Sequence, residues 1–237
     1  MKLGCPVCVP VWGVLILAGL LTVASAAPAD DNDALLHIVE KCFGPNVAED
    51  CRRCSWPPGD NACPGDWPCR STIEVWAEDG EYVAIRDRKM CDCPAEFVHG
   101  LAIPRTPVTG VEDARRPDGI WAFAWTAARK RIRDDSTIAL VVSSKKLRTQ
   151  NQLHIHLVRL RKHAREDFAQ HTTARVQQLN EVWATAARQA GAAGLDDYGV
   201  LVASDLRGGF VVLVVDEADR KGSTARRYTE EHCLAVQ

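Results

Sequence analysis

The sequence has almost no net charge, because 29 lysines and arginines face 31 aspartates and glutamates, for a formal charge of −2. A chain so balanced is not a general binder of polyanions, which argues against a nucleic-acid-binding protein and requires any attraction to phosphate to be local. The sequence contains no internal repeat and no low-complexity tract. Beyond the N-terminal residues, no stretch approaches the roughly 20 apolar residues of a membrane span.

The N-terminal residues predict a targeting segment rather than part of the fold. Lys2 precedes an apolar run from Val11 to Val23, and Ala24-Ser25-Ala26 fits a small-residue cleavage site. We expect residues 1–26 to be a signal peptide, with an uncleaved N-terminal anchor as the alternative. The protein is then exported, and periplasmic or otherwise extracytoplasmic, either membrane-associated or secreted.

An even number of cysteines behind a signal sequence is typical of disulfides in an oxidising compartment. The cysteines after the signal segment are Cys42, Cys51, Cys54, Cys63, Cys69, Cys91, Cys93 and Cys233. Cys51 and Cys54 have zinc-ligand spacing, but no regular second pair follows, so disulfides are the preferred interpretation. For residues 51–69 we predict a surface insert that is held by its own disulfides. We expect Cys233 to pair with the N-terminal region, with Cys42 as the first choice.

The remaining pattern predicts one α+β domain, residues 27–237, with a mainly antiparallel sheet and two principal helices. The predicted strands are residues 72–77, 82–86, 96–103, 137–144, 151–159, 198–203 and 210–215. The predicted helices are residues 117–132 and 173–189. Asp79-Gly80 is a strong hairpin signal between the first two strands. Trp121 and Trp125 lie four residues apart on the first helix and are expected to be core residues.

One strand carries residues that packing alone does not explain. Leu153, Ile155 and Leu157 alternate with Gln152, His154 and His156, so the two histidines share one face. The first interpretation is an ordinary sheet surface. The second is a zinc site, which lacks a third ligand at convincing spacing nearby. The third is covalent catalysis at phosphorus, since neutral imidazole is a good nucleophile near pH 7.

The residues just before this strand favour the third interpretation. Arg148, Thr149 and Gln150 can offer a cation, a hydroxyl and an amide to a phosphate. Residues 152–157 resemble the histidine-triad (HIT) signature, in which histidines alternate with hydrophobic residues. The longer segment 148–156 resembles the CDP-diacylglycerol pyrophosphatase family of that superfamily. Further likeness lies in residues 35–42, 103–104, 109–112, 121–125 and 231–233, and it is poor in residues 51–69 and 164–195.

The resemblance implies a HIT-like fold and hydrolysis of CDP-diacylglycerol to CMP and phosphatidate. It implies that His154 is the nucleophile of a covalent nucleotidyl intermediate, with His156 and Gln152 as its catalytic partners. Gln152 departs from the signature, because it stands where the first histidine of the triad belongs. We predict that the substrate phosphates contact Arg148, Thr149, Gln150, Lys145 and Ser143, the last of which replaces an asparagine that contacts the nucleotide in many HIT proteins.

Preorganised donors of this kind need no metal, so we expect no metal and no other cofactor. The expected partner is CDP-diacylglycerol in or at a membrane surface, and the oligomeric state is not predicted. Two alternatives differ in substrate or class. One is a HIT-type hydrolase of a soluble nucleotide diphosphate ester, and the other is a secreted nucleotide- or lipid-binding module without turnover.

Overall fold

A single antiparallel sheet organises the residues that the computed structural model describes, namely 32–43, 73–90, 93–94, 96–170, 172–216, 227–230 and 233. Its strands are β1 (Val75–Glu78), β2 (Tyr82–Arg86), β3 (Gly100–Pro104), β4 (Ile138–Val142), β5 (Ile155–Arg159), β6 (Thr172–Val176), β7 (Tyr198–Ser204) and β8 (Phe210–Asp216). They lie in the order β1-β2-β3-β5-β4-β7-β8-β6.

Three helices accompany the sheet within these ranges: α1 (Ala34–Cys42), α2 (Ile120–Arg129) and α3 (Val182–Ala192). The α+β class with an antiparallel sheet is therefore confirmed, and α2 and α3 are its two principal helices. None of the described helices is both long and apolar enough to cross a membrane. The predicted signal segment and the Cys-rich insert at residues 51–69 lie outside the described residues.

Helices α2 and α3 pack on one face of the sheet and form the larger core with it. The Trp121 ring meets the Trp183 ring edge-on at 4.7 Å between centroids, which joins the two helices. Trp121 is fully buried and Trp125 nearly so. The expectation that both tryptophans are core residues is confirmed.

The prediction of one helix over residues 173–189 is wrong. Residues 172–176 form the edge strand β6, and the helix begins only at Val182. Gln178 and Glu181 form a capping box at this boundary, which fixes where helical structure starts. The apolar residues that suggested a helical stripe, Val176 and Leu179 among them, are buried in the same core, so a strand followed by a turn and a helix satisfies the same pattern.

The opposite face of the sheet carries two separate apolar clusters. In the first, α1 packs through Leu35 and Ile38 on the β2 and β3 side chains. In the second, Phe168 and Tyr228 cover strands β4, β7 and β8. The sheet face between the two clusters belongs to β5. This is where the two histidines of the sequence motif lie.

Cys233 is bonded to Cys93 and not to Cys42, so the expected pairing is wrong. Cys42 takes part in another disulfide. The C-terminal segment runs beside the end of β5, where Thr229 bridges to Leu160, and this course brings Cys233 to the loop before β3. Sequence spacing gives no sign of such a path, because it depends on which strand the C-terminal segment joins.

Gly100 allows β3 to pass closely beneath Trp76. A Cβ atom added at Gly100 would lie 2.0 Å from the Trp76 ring, whereas one at Gly80 would meet nothing within 4 Å. We therefore expect Gly100→Ala to lower the free energy of unfolding by about 1–3 kcal/mol through overpacking. Gly80→Ala is the matched control and should stay near wild type in urea denaturation. Equal stability of the two variants would contradict this packing.

Candidate active site

His154 directly precedes β5, which begins at Ile155, four residues later than the predicted strand start at Asn151. The His154 ring lies against its own backbone. Its Nδ1 atom lies 2.8 Å from the main-chain oxygen of Gln152. A carbonyl oxygen can only accept, so Nδ1 carries the proton and Nε2 keeps its lone pair.

The surroundings of His154 keep its ring neutral. The side chain is almost completely buried. Burial lowers the pKa of His154, and the positive charges of Arg148 and Lys89 act in the same direction, while the main-chain oxygen of Gln152 and the charge of Asp87 oppose them. A neutral imidazole with a fixed Nδ1–H and a free Nε2 is the form that can attack an electrophile.

His156 lies on β5 between the two apolar clusters, opposite Leu101 of β3 and Val141 of β4. Its ring centroid is 5.0 Å from that of His154. Its Nδ1 atom lies 2.9 Å from Nε2 of His99. Burial lowers the pKa of His156 well below its usual range, and the neighbouring histidines and Lys89 lower it further.

The Asp87 carboxylate influences which ring, His99 or His156, donates the hydrogen bond between them. Asp87 Oδ2 lies 3.7 Å from His99 Nε2, the same nitrogen that faces His156. The negative charge favours a proton on that nitrogen, and in this tautomer His99 Nε2–H donates to His156 Nδ1. The proton of His156 is then on Nε2. His154 thus offers a lone pair, while its neighbour His156 offers an N–H donor.

Arg148 is oriented by Glu112, which lies in the segment between β3 and α2. One arm of its guanidinium is hydrogen-bonded to Glu112. Burial opposes ionisation of Glu112, but the hydrogen bond and charge of Arg148 together with backbone N–H bonds outweigh it, so the pKa of this carboxyl is lowered. A Cβ atom at Gly110 would crowd the end of the Arg148 side chain, so glycine at this position leaves room for the pair. A guanidinium has five N–H donors, which lets Arg148 hold Glu112 and contact a phosphate as well.

Two predicted site residues have their amides engaged by the backbone. Gln152 donates to the oxygens of Pro104 and Thr106, both at 2.9 Å, and accepts from the N–H of Val108. Gln150 accepts from the N–H of Leu35 in the first turn of α1. Through these hydrogen bonds, Gln152 connects the 104–108 loop to the segment that leads into β5. Catalytic or phosphate-binding roles for the two glutamines stay predictions.

The other predicted phosphate ligands have no contact within the described residues that defines a role. Thr149 is exposed beside Arg148, and Ser143 is partly buried just after β4. The main-chain N–H of the exposed Lys145 donates to Asp197. The lysine whose charge acts on both site histidines is Lys89. Phosphate binding by Thr149, Ser143 and Lys145 stays a prediction.

Asp87, Lys89 and His99 are site residues that the sequence argument missed. Asp87 directly follows β2 and His99 directly precedes β3, and the N–H of Asp87 donates to the His99 oxygen. The hairpin-like pairing of β2 with β3 is what brings them together. An acid and a histidine at facing ends of adjacent predicted strands were the available signal.

One group of side chains has the composition of a metal site. A carboxylate oxygen of Asp87 and one nitrogen each of His99 and His156 all lie within 4.8 Å of one another. The zinc interpretation of the sequence placed both strand histidines in such a site. In the structure, His156 is grouped instead with Asp87, just after β2, and His99, just before β3. His154 does not belong to this group.

A buried imidazole lone pair beside an N–H donor and a guanidinium is typical of enzymes that act on phosphoric esters or anhydrides. Residues 67–192, just over half of the chain, match the family model for CDP-diacylglycerol pyrophosphatase. The chain belongs to this family, and it is a hydrolase acting on a diphosphate bond, with CDP-diacylglycerol as the substrate that the family implies. A comparison with curated proteins gave no match. The link to the wider HIT superfamily stays a prediction from the motif.

The three bonds of Gln152 predict a stability role that can be measured. In Gln152→Glu a carboxylate would face the oxygens of Pro104 and Thr106, so we expect the free energy of unfolding to fall by about 3 kcal/mol. Gln150→Glu is the matched control, because a carboxylate there still accepts from Leu35 at the start of α1. Urea denaturation compares the two. If Gln152→Glu unfolded at the same urea concentration as the wild type, the connecting role of Gln152 would be contradicted.

Proposed function

We propose that this enzyme hydrolyses CDP-diacylglycerol through a covalent cytidylyl intermediate on Nε2 of His154. The observation that carries the proposal is the hydrogen bond from His154 Nδ1–H to the Gln152 oxygen. It fixes the ring orientation and leaves Nε2 as the reactive atom. It also stabilises the positive charge that the ring acquires once Nε2 is bonded to phosphorus.

In the first step, the Nε2 lone pair attacks the phosphorus of the cytidylyl group. The P–O bond to the bridging oxygen breaks, and its electron pair leaves with phosphatidate. A phosphate monoester has its second pKa near 6, so phosphatidate departs as a stable anion at pH 7. The leaving group therefore needs little protonation, which fits a site with Gln152 where the signature has a histidine.

In the second step, water attacks the same phosphorus from the side that phosphatidate has left. The N–P bond breaks and returns its electron pair to Nε2 of His154. The water contributes its oxygen to CMP and releases a proton. The enzyme is restored without any change of oxidation state, and the products are CMP and phosphatidate.

The neighbouring residues support both steps by holding the phosphoryl oxygens. His156 contributes its Nε2–H, which Asp87 and His99 fix in place through the hydrogen bond of 2.9 Å. Arg148 contributes guanidinium N–H groups from the rim, where Glu112 orients it. Donors that are already in position lower the barrier because they need no reorganisation as charge develops.

We also propose that the enzyme is exported and meets its substrate at a membrane surface. The support is the signal-like pattern of residues 1–26 and the two acyl chains of the substrate, which favour a bilayer over water. Comparing turnover of the lipid in vesicles with turnover of a CDP ester that lacks acyl chains tests this part separately. Equal turnover would favour the hydrolase of soluble nucleotide esters.

The covalent route predicts a detectable adduct. After incubation with CDP-diacylglycerol and a rapid quench without acid, intact-protein mass spectrometry should show one added cytidylyl group. We expect His154→Asn to lose the adduct and at least a thousandfold of turnover, because no nucleophile remains. His163→Asn is the matched control: His163 is exposed and has φ of 69°, which asparagine tolerates well.

The control should form the adduct and turn over as wild type does. Turnover by His154→Asn close to the wild-type rate would contradict the nucleophile assignment. Binding of CMP without release of product by the wild-type enzyme would favour the binding-module alternative.

A further inference from the structure

We propose that Asp87, His99 and His156 form a binding site for one transition-metal cation of the Zn²⁺ class. The proposed hydrolysis does not use this ion, and the inference does not depend on the covalent route. It rests on the positions of three side chains: Asp87 just after β2, His99 just before β3, and His156 on β5.

The spacing of the donor atoms suits such an ion. Zinc binds imidazole nitrogen and carboxylate oxygen at about 2.0–2.2 Å, so two ligands of a tetrahedral ion lie about 3.4 Å apart. His99 Nε2 lies 2.9 Å from His156 Nδ1 and 3.7 Å from Asp87 Oδ2. The two separations bracket the required value, and the third pair of donor atoms, on Asp87 and His156, lies within 4.8 Å.

The donor set also selects the kind of cation. Two imidazoles and one carboxylate match the protein ligands of many zinc centres that keep a fourth position open. Magnesium and calcium prefer sites made wholly of oxygen, so they are poor candidates here. The charge of Asp87 offsets part of the charge of the ion, while the nearby Lys89 opposes binding from its exposed position.

The three ligands are held in place before any ion arrives. Asp87 and His99 are joined by a main-chain hydrogen bond of 2.9 Å, and His156 lies opposite Leu101, two residues along β3 from His99. Asp87 is 9% exposed and His99 is 3% exposed. A site assembled on paired strands loses little conformational entropy on binding.

Binding requires only a rearrangement of protons within the group. The proton that His99 Nε2 shares with His156 is replaced by the ion, and His99 takes the tautomer that carries its proton on Nδ1. His156 keeps its proton on Nε2 and coordinates through Nδ1. The ion therefore occupies the place of the shared proton and leaves both rings neutral.

The test is direct titration of untagged, disulfide-intact protein with Zn²⁺ against a chromophoric chelator. We expect one equivalent to bind the wild type, and Asp87→Asn and His99→Asn each to weaken binding at least tenfold. His154→Asn and His163→Asn should bind as the wild type does. No stoichiometric binding by the wild type would overturn the proposal, and so would a loss of binding in His154→Asn with Asp87→Asn unaffected.

A second measurement needs no variant, in case the substitutions unfold the protein. X-ray absorption of the wild type loaded with one equivalent of Zn²⁺ should show nitrogen and oxygen ligands only, with the scattering pattern of two imidazoles. Sulfur in the first coordination shell would place the ion at cysteines and overturn the assignment.

Discussion

The hydrogen bond between His154 Nδ1 and the Gln152 oxygen is the contact on which the active-site geometry depends. The chain bends at Asn151 and Gln152, before β5 begins, and the Gln152 side chain bonds this segment to the 104–108 loop. On the other side of the bend, Gln150 is bonded to the first turn of α1. The His154 ring is thus positioned by a segment that has hydrogen bonds to distant parts of the chain on both sides.

The electrostatics of the site are local, as the nearly neutral chain requires. Arg148 and Lys89 place positive charge beside His154, and Glu112 is hydrogen-bonded to Arg148. Asp87 sets the tautomer of His156 through His99, which lies between them. Burial is the first cause of the lowered pKa of both imidazoles, and the charge of Lys89 acts in the same direction on each; the neutral imidazole that results is the nucleophilic form.

Sequence alternation predicted the central strand and its apolar side because period-two patterning is a local property. The same reasoning failed at residues 173–189, where strand, turn and helix in succession bury the residues that one helix would have buried. It could not find Asp87 and His99, because their contact with His156 depends on the order of β2, β3 and β5. It also could not see that Gln150 and Gln152 bond to the backbone, since that depends on loops distant in sequence.

The stereochemistry at phosphorus tests the covalent route most directly. Each in-line displacement inverts the configuration, so attack by His154 followed by attack of water gives overall retention, whereas direct attack of water gives inversion. A CDP-diacylglycerol analogue made chiral at the cytidylyl phosphorus by sulfur substitution, hydrolysed in ¹⁸O-labelled water, distinguishes the two outcomes. The account predicts retention in the labelled thiophosphate of the CMP product. Inversion would contradict the nucleotidyl-histidine intermediate.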